Sequence, residues 1–334
     1  MTSKTHTSKS GVMVQPIEPK FHFVWFGPQF PQFAHIAIAS ALKHNPDAQA
    51  ILWHGPELHI DATLQRLQTR GLQCHVIDFD SLSTQAKELG AKFDIETLRE
   101  IYRDLSAPAA RSNLVRLLAI FVHGGIYLDT DTLTLKNLDS LRQEGGFCGL
   151  EHILWPSGMS KTNVRALALA ELRRVCASFA LGSTIHRFLL PLYSQAANNA
   201  VLGFRKNHPF GGKILQAATQ VPKADWAKRF RFGTHLLQRG LQEFNGKELQ
   251  LNERIAVLAP HYFYPLGPVI SRHYFRKTKQ VEEDAQKLLS PETHVIHWYA
   301  SVAQLNQRGF DHILSHRKSE VYSHLCAPYL QLLE

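Results

Sequence analysis

Apolar and polar positions alternate in blocks along the first 140 residues. Phe21-His22-Phe23-Val24-Trp25-Phe26-Gly27 is an aromatic and β-branched run closed by glycine, which predicts a buried strand. A helix is expected over 33–44, and Ala50-Ile51-Leu52-Trp53-His54 reads as a second strand. Asp61 then caps a helix ending at Gly71, and Cys74-His75-Val76-Ile77-Asp78 makes a third strand. Strands separated by helical stretches predict a parallel sheet with right-handed crossovers, hence an α/β fold.

The stretch 81–104 reads as helical, and Ser106-Ala107-Pro108 opens the next helix with a cap and a proline. That helix runs to His123 and stops at Gly124-Gly125, residues able to take the left-handed conformation that ends helices. Leu114, Leu117, Leu118 and Phe121 form its apolar stripe, while Asn113 and Arg116, three apart, share another side. Beyond 145 the pattern weakens. It suggests Glu151 at a strand end, a helix over 164–181, a short strand from Ala200 to Phe204 and a helix from His208-Pro209 to Val221. Ile255 to Leu258 and His294 to Trp298 read as late strands.

Composition narrows the class. With 334 residues, 44% hydrophobic and 19% charged, the chain can build a sizeable core and is no disordered protein. Residues 1–19 are polar and Ser/Thr/Lys-rich, so they are expected to form a disordered tail without the apolar segment of a signal peptide. The most apolar stretch, Leu114 to Leu128, is interrupted by Arg116, His123 and Gly124-Gly125, which argues against a transmembrane helix. Four scattered cysteines (Cys74, Cys148, Cys176, Cys326) argue against a disulfide scaffold and a zinc ribbon, and point to a reducing, cytoplasmic setting. A net charge of +9 favours anionic partners. Its densest groups are Lys228-Arg229 with Arg231, and Arg272 with Arg276, Lys277 and Lys279, which are either a solvated face or a contact with anionic lipid or diphosphate.

The sharpest chemical signal is Gly124-Gly125-Ile126-Tyr127-Leu128-Asp129-Thr130-Asp131. On a strand Tyr127, Asp129 and Asp131 share one face while Ile126 and Leu128 face the core. Two carboxylates so placed repel unless a cation lies between them, and oxygen ligands suit a hard cation, Mn²⁺ or Mg²⁺. Such an ion would stabilise a departing diphosphate as a Lewis acid. Neither G-x-G-x-x-G nor G-x-x-x-x-G-K-[ST] occurs, so a carboxylate-held metal would replace the glycine-rich phosphate cradle.

Together with Phe23-Val24-Trp25-Phe26-Gly27 and Ser112-Asn113-Leu114-Val115-Arg116, this segment resembles the DXD-motif glycosyltransferases: family 32, the glucosylating domains of large clostridial cytotoxins, and the arginine-modifying bacterial effectors. The resemblance implies a GT-A (Rossmann-like) fold with a mixed, mainly parallel sheet and helical insertions. It implies one catalytic domain over 20–334, in which 20–140 binds the nucleotide sugar and 141–334 serves the acceptor and closes the site. The donor would be a nucleotide sugar, most often a UDP-sugar, and transfer would retain the anomeric configuration. In this resemblance Trp25 matches the ring that stacks on the base, with the Val24 backbone at its edge. Arg116 matches the arginine on the sugar or diphosphate, Tyr127 the tyrosine beside the donor, Asp129 the aspartate touching ribose and sugar hydroxyls, and Asp131 the direct metal ligand. Asn113 departs from the toxins, which carry aspartate there, and so bears on donor choice.

In the late segment His294 and His297 fall on opposite strand faces. By the same resemblance His297 or Ser301 would complete the metal set and Trp298 would cover the sugar. Glu151, Asn198-Asn199 and Gly233-Thr234-His235 are candidates for the acceptor side. Two acceptor branches stand open. One is a glycan, polysaccharide or lipid-linked acceptor at the inner membrane face, with peripheral contact to anionic lipid; the other is a protein acceptor, as for a secreted effector. A non-catalytic anionic-ligand binder is the rival from another class. Nucleic acid is not expected, because no aromatic-interleaved basic platform appears, and the two aspartates are too close to flank a glycosidic bond as in a glycosidase.

Overall fold

The computed structural model describes residues 14–228 and 230–334. Strands β1 (Lys20–Trp25), β2 (Gln49–His54), β3 (Leu72–Val76) and β4 (Gly125–Leu128) are parallel to one another, as the alternation with helices requires. After β5 (Thr132–Thr134), β6 (Gly146–Pro156), β7 (Tyr193–Phe204) and β8 (Ala256–Leu258) extend the sheet to seven strands in the order β3-β2-β1-β4-β7-β6-β8. β7 runs antiparallel to both β4 and β6, so the sheet is mixed but mainly parallel. β5 pairs separately and antiparallel with β9 (Val295–His297).

Strand alternation divides the interior in two. Phe21, Phe23, Leu52, Ile126 and Leu128 pack under α1 (Gln32–His44) and α2 (Ala62–Thr69). Val24, Ile51, Trp53 and Tyr127 pack under α3 (Phe79–Glu88), α4 (Ile95–Asp104) and α5 (Pro108–His123). The result is a three-layer α/β architecture. Asp61 caps α2 as expected, accepting from the Leu64 amide at 2.7 Å. The expected helix over 81–104 is instead two, α3 and α4, separated by Gly90 at φ +77°. Ser106 does not cap α5; Ala107 holds that position without a side-chain bond, and Pro108 opens the first turn.

Gly124 ends α5 at φ +63°, and Gly125 follows at φ +118°. A Cβ on Gly125 would lie 2.7 Å from the Lys20 carbonyl oxygen and 2.8 Å from His22 Nε2. The doublet therefore allows β4 to press against β1, and buried His22 fastens it by donating from Nε2 to the Gly124 carbonyl at 2.7 Å.

Residues 14–19 depart from the expected tail. Ile17 is fully buried, and its amide donates to the Arg142 carbonyl at 2.8 Å, on α6 (Asp139–Arg142). One β-branched apolar side chain with a pocket suffices to anchor a segment whose composition is polar. Residues 1–13 lie outside those described. The expected helix over 164–181 ends at Cys176 as α7 (Val164–Cys176), and α8 (Gly182–Leu189) follows it. β7 begins seven residues before the expected Ala200 because Ser194, Gln195 and Asn198 hide its alternation. After it come α9 (Pro209–Thr219), α10 (Thr234–Glu243), α11 (Gly267–Ile270), α12 (Val281–Leu288), α13 (Ala300–Ala303), α14 (Phe310–His316) and α15 (Val321–Cys326). All four cysteines are free, and among the described residues no helix is long and apolar enough to cross a membrane.

Candidate active site

The site forms where β4 ends. Asp129, Thr130 and Asp131 make a tight turn between β4 and β5, held by the Thr132 hydroxyl donating to the Asp129 carbonyl at 2.7 Å. β9 lies antiparallel to β5, with Thr132 opposite His297, so a residue 166 positions away arrives beside the acidic turn. His297 Nε2 lies 3.1 Å from Asp131 Oδ1 and 4.0 Å from Asp129 Oδ2. One ligand atom from each of the three residues falls within 4.8 Å of the others.

The two carboxylates have different surroundings. Asp129 Oδ1 receives the Tyr127 hydroxyl at 2.6 Å and Arg116 Nη2 at 2.9 Å. Arg116 is buried, also donates to the Asn199 carbonyl, and lies 4.2 Å over the Tyr127 ring. Burial disfavours its charge, but Asp129, together with Tyr127, Tyr264 and Asp131, outweighs this and raises its pKa above the usual range. Asp131 Oδ2 accepts the Ala300 amide at 2.7 Å, at the start of α13. Burial opposes ionisation of Asp131, yet His297 and that amide hold its pKa below the ordinary value. Burial likewise opposes charge on His297, and the Asp131 carboxylate overrides it to raise the imidazole. Asp129 Oδ2, Asp131 Oδ1 and His297 Nε2 are thus left facing one another, and two carboxylate oxygens with one imidazole nitrogen fit a divalent cation.

These groups line a cavity of about 660 Å³ together with Val24, Trp25, Asn113, Arg116, Tyr127 and Ser301. Trp25 is half-buried, its indole N–H donating to the Gln29 carbonyl at 2.9 Å and its edge meeting Phe30. Asn113 accepts from the Asn199 amide at 2.8 Å. Trp298 is a correction. It is 2% exposed and packs edge-on against Tyr274 and Tyr322 rather than lining the cavity. With His297 turned to the aspartates, alternation sends the next side chain to the opposite side, into the core.

The sequence reading gave no role to Tyr299, which the structure places in the cavity. Its hydroxyl donates to Glu151 Oε2 at 2.9 Å, its ring lies 4.2 Å from that of His297, and its backbone is left-handed at φ +57°. A bulky residue there costs about 1–3 kcal/mol, which clusters at functional sites. Glu151, in mid-strand on β6, has a pKa raised by burial and only partly restored by bonds from Tyr299 and Asn198. The available signal was the adjacency of Tyr299 to His297. Elsewhere, Asp225 is neutralised by Lys228 and Arg231, while Arg229 lies outside the described residues. His312 pairs with buried Glu320 at 2.9 Å, a structural contact remote from the cavity lining.

The α/β sheet thus delivers paired aspartates, an arginine and an indole to one cavity. Residues 31–147, about a third of the chain, match the family described as the glycosyltransferase sugar-binding region containing a DXD motif. An uncharacterized protein of Arabidopsis thaliana is 26% identical over 204 residues, 58% of this chain; the chain spans about a quarter of the length of that curated relative, 25%. Among solved structures, the PaToxG glycosyltransferase aligns at 18% identity over 70% of this chain and 72% of its own, with a TM-score of 0.47. The galactosyltransferase LgtC, solved with donor and acceptor sugar analogs, aligns at 11% identity over 92% and 95%, with a TM-score of 0.38.

Proposed function

We propose that the protein is a divalent-metal-dependent, retaining glycosyltransferase that moves a sugar from a UDP-sugar to a glycan, polysaccharide or lipid-linked acceptor. The observation that carries this reading is the convergence of Asp129, Asp131 and His297 under a cavity bordered by Trp25 and Arg116. Asp131, Asp129 and His297 would hold the ion, with Ser301, which lines the same cavity, as the candidate for an added hydroxyl. The nitrogen ligand favours Mn²⁺ over the harder Mg²⁺. When bound, the cation supplies charge neutralisation for the leaving diphosphate.

The chain's own residues supply the rest. Trp25 offers an aromatic face for the base, and stacking of this kind contributes about 1–3 kcal/mol. The Val24 backbone borders the same wall. Arg116, fixed by Asp129, the Asn199 carbonyl and the Tyr127 ring, keeps a rigid cation beside the aspartates and lowers their mutual repulsion. Tyr127 orients Asp129 through its hydroxyl. Asn113, tied to Asn199, presents an amide where a sugar hydroxyl can bind. In the retaining scheme the bond from the anomeric carbon to phosphate breaks as the acceptor oxygen attacks the same face. The acceptor proton passes to the departing phosphate oxygen, so no separate protein base is required.

A protein acceptor is the second reading, supported by the toxin-like Trp25 strand. Four unpaired cysteines support a reducing compartment as the working place. The test is nucleotide release from a panel of UDP- and GDP-sugars, with Mn²⁺ or with EDTA. Release from one or two UDP-sugars that EDTA abolishes is expected; no release from any donor, or release indifferent to EDTA, rejects the reading.

A further inference from the structure

Helices α7 and α8 are built inside out. On α7 the buried face is Ala166, Ala170, Arg173 and Cys176, whereas Val164, Leu167, Leu172 and Val175 are exposed. On α8 only Gly182 and His186 are buried, and Ile185 and Phe188 point outward, flanked by exposed Leu181 at its N-cap and Leu192 in the turn that follows. Phe188 is 80% exposed and Val164 79%. Among the described residues, ten of the sixteen exposed large apolar side chains fall within 159–192, a tenth of the chain. Scattered exposed apolar residues need no explanation, but a contiguous face of them marks an interaction surface.

What lies beneath explains the inversion. Arg173 is fully buried, donating to the carbonyls of His152 and Ile153 and lying 4.5 Å over the Tyr193 ring. His186 stacks on the same ring from its other neighbours. The underside of the pair is thus occupied by a buried arginine and histidine packed on Tyr193, so the apolar stripes face away from it. Basic residues frame them: Lys161, Arg165, Arg174 and Arg187 are exposed, against the single acidic Glu171.

We propose that this face of α7 and α8 docks on an anionic phospholipid bilayer. Apolar side chains of the Leu, Ile, Phe and Val type that stand proud among arginines match the interfacial region, where acyl chains receive the former and lipid phosphates the latter. A second copy of the chain is a poorer occupant, since a two-fold pairing would set this basic face against itself. The face also borders the active site. Arg174 and Val175 line a second cavity of about 460 Å³ with Pro268 and Val302, and those last two line the active-site cavity as well. Docked this way the site mouth lies at the membrane surface, where a lipid-linked acceptor presents its sugar; that consequence rests on the proposed function, the docking itself does not.

The test is sedimentation of the full chain with vesicles of pure phosphatidylcholine or of an equimolar phosphatidylglycerol–phosphatidylcholine mixture. Partition to the anionic vesicles should be about tenfold or more greater, and fall with salt. The pair Leu181→Ser with Phe188→Ser, and separately Arg165→Glu with Arg187→Glu, should abolish it. Both pairs alter exposed positions remote from the cavity lining, so nucleotide-sugar hydrolysis in solution stays at the wild-type rate and reports on the catalytic reading separately. Equal sedimentation with both vesicle types, or unchanged binding by both variants, overturns the proposal. So does a dimer that the serine pair converts to a monomer without any vesicle binding, which would make the face a self-association surface.

Discussion

Replacing Asp131 by asparagine separates its two roles. One oxygen accepts the Ala300 amide at 2.7 Å, and the other faces His297 and Asp129. Asparagine can keep the first contact through its carbonyl, but then turns an N–H₂ toward His297, and an amide donor cannot ligate a cation. Exchanging a charged for a neutral acceptor on the Ala300 amide forfeits about 1 kcal/mol. In a chain of 334 residues that lowers Tm by roughly 1–2 °C. Alanine removes both functions, leaving the Ala300 amide and His297 buried without their partner, at about 2–4 kcal/mol. Mn²⁺ affinity, measured by calorimetry, should fall at least about 100-fold in both variants, which is about 2.7 kcal/mol. Differential scanning fluorimetry should show the asparagine variant near wild type and the alanine variant clearly lower. Wild-type Mn²⁺ affinity in the asparagine variant would refute the ligand assignment. Equal destabilisation of both would mean that the carboxylate charge is structural.

Trp25→Ala should weaken UDP binding by about 1–3 kcal/mol while leaving Tm nearly unchanged, because the indole is only half-buried; an aggregating variant would make it a core residue. Gly203→Ala should cost about 1–3 kcal/mol of stability, since its Cβ would meet Phe147 Cε1 at 2.4 Å on the neighbouring strand, and an unchanged Tm would contradict that crowding. Acid should destabilise the fold through His22, His186 and His208, whose pKa values burial lowers from 6.5 to about 3, with Lys20, Arg173 and Arg205 respectively pushing the same way. Below pH 6.5 the unfolded chain binds protons that these sites refuse, so stability is full above 6.5 and declines toward 3, by about 2 kcal/mol per histidine at pH 5. A Tm that stays flat from pH 7.5 to about 5 would refute this linkage.

Much of the first half was legible from neighbouring residues alone. The Trp25 strand, the Asp61 cap, the end of α5 at Gly124 and the Asp-x-Asp turn are all local: periods of two and 3.6, a capping oxygen and a positive φ are each set within a few residues. So was the resemblance to the DXD-motif glycosyltransferases, whose family model matches residues 31–147, because the helix, the glycine doublet and the paired aspartates stand at fixed spacing. What tertiary structure decided is long-range. Pairing of β5 with β9 turned His297 toward Asp131 and thereby committed Trp298 to the core, a choice that the strand pattern left symmetric. Ile17 anchored a segment whose average composition is polar, since burial depends on one available pocket and not on a mean. The inversion of α7 and α8 was equally hidden: their apolar stripes are good helical patterns, and periodicity fixes which residues share a face without saying whether that face turns inward. On the inner side lies the buried Arg173, packed over the Tyr193 ring and donating to the carbonyls of His152 and Ile153, contacts that periodicity does not reveal.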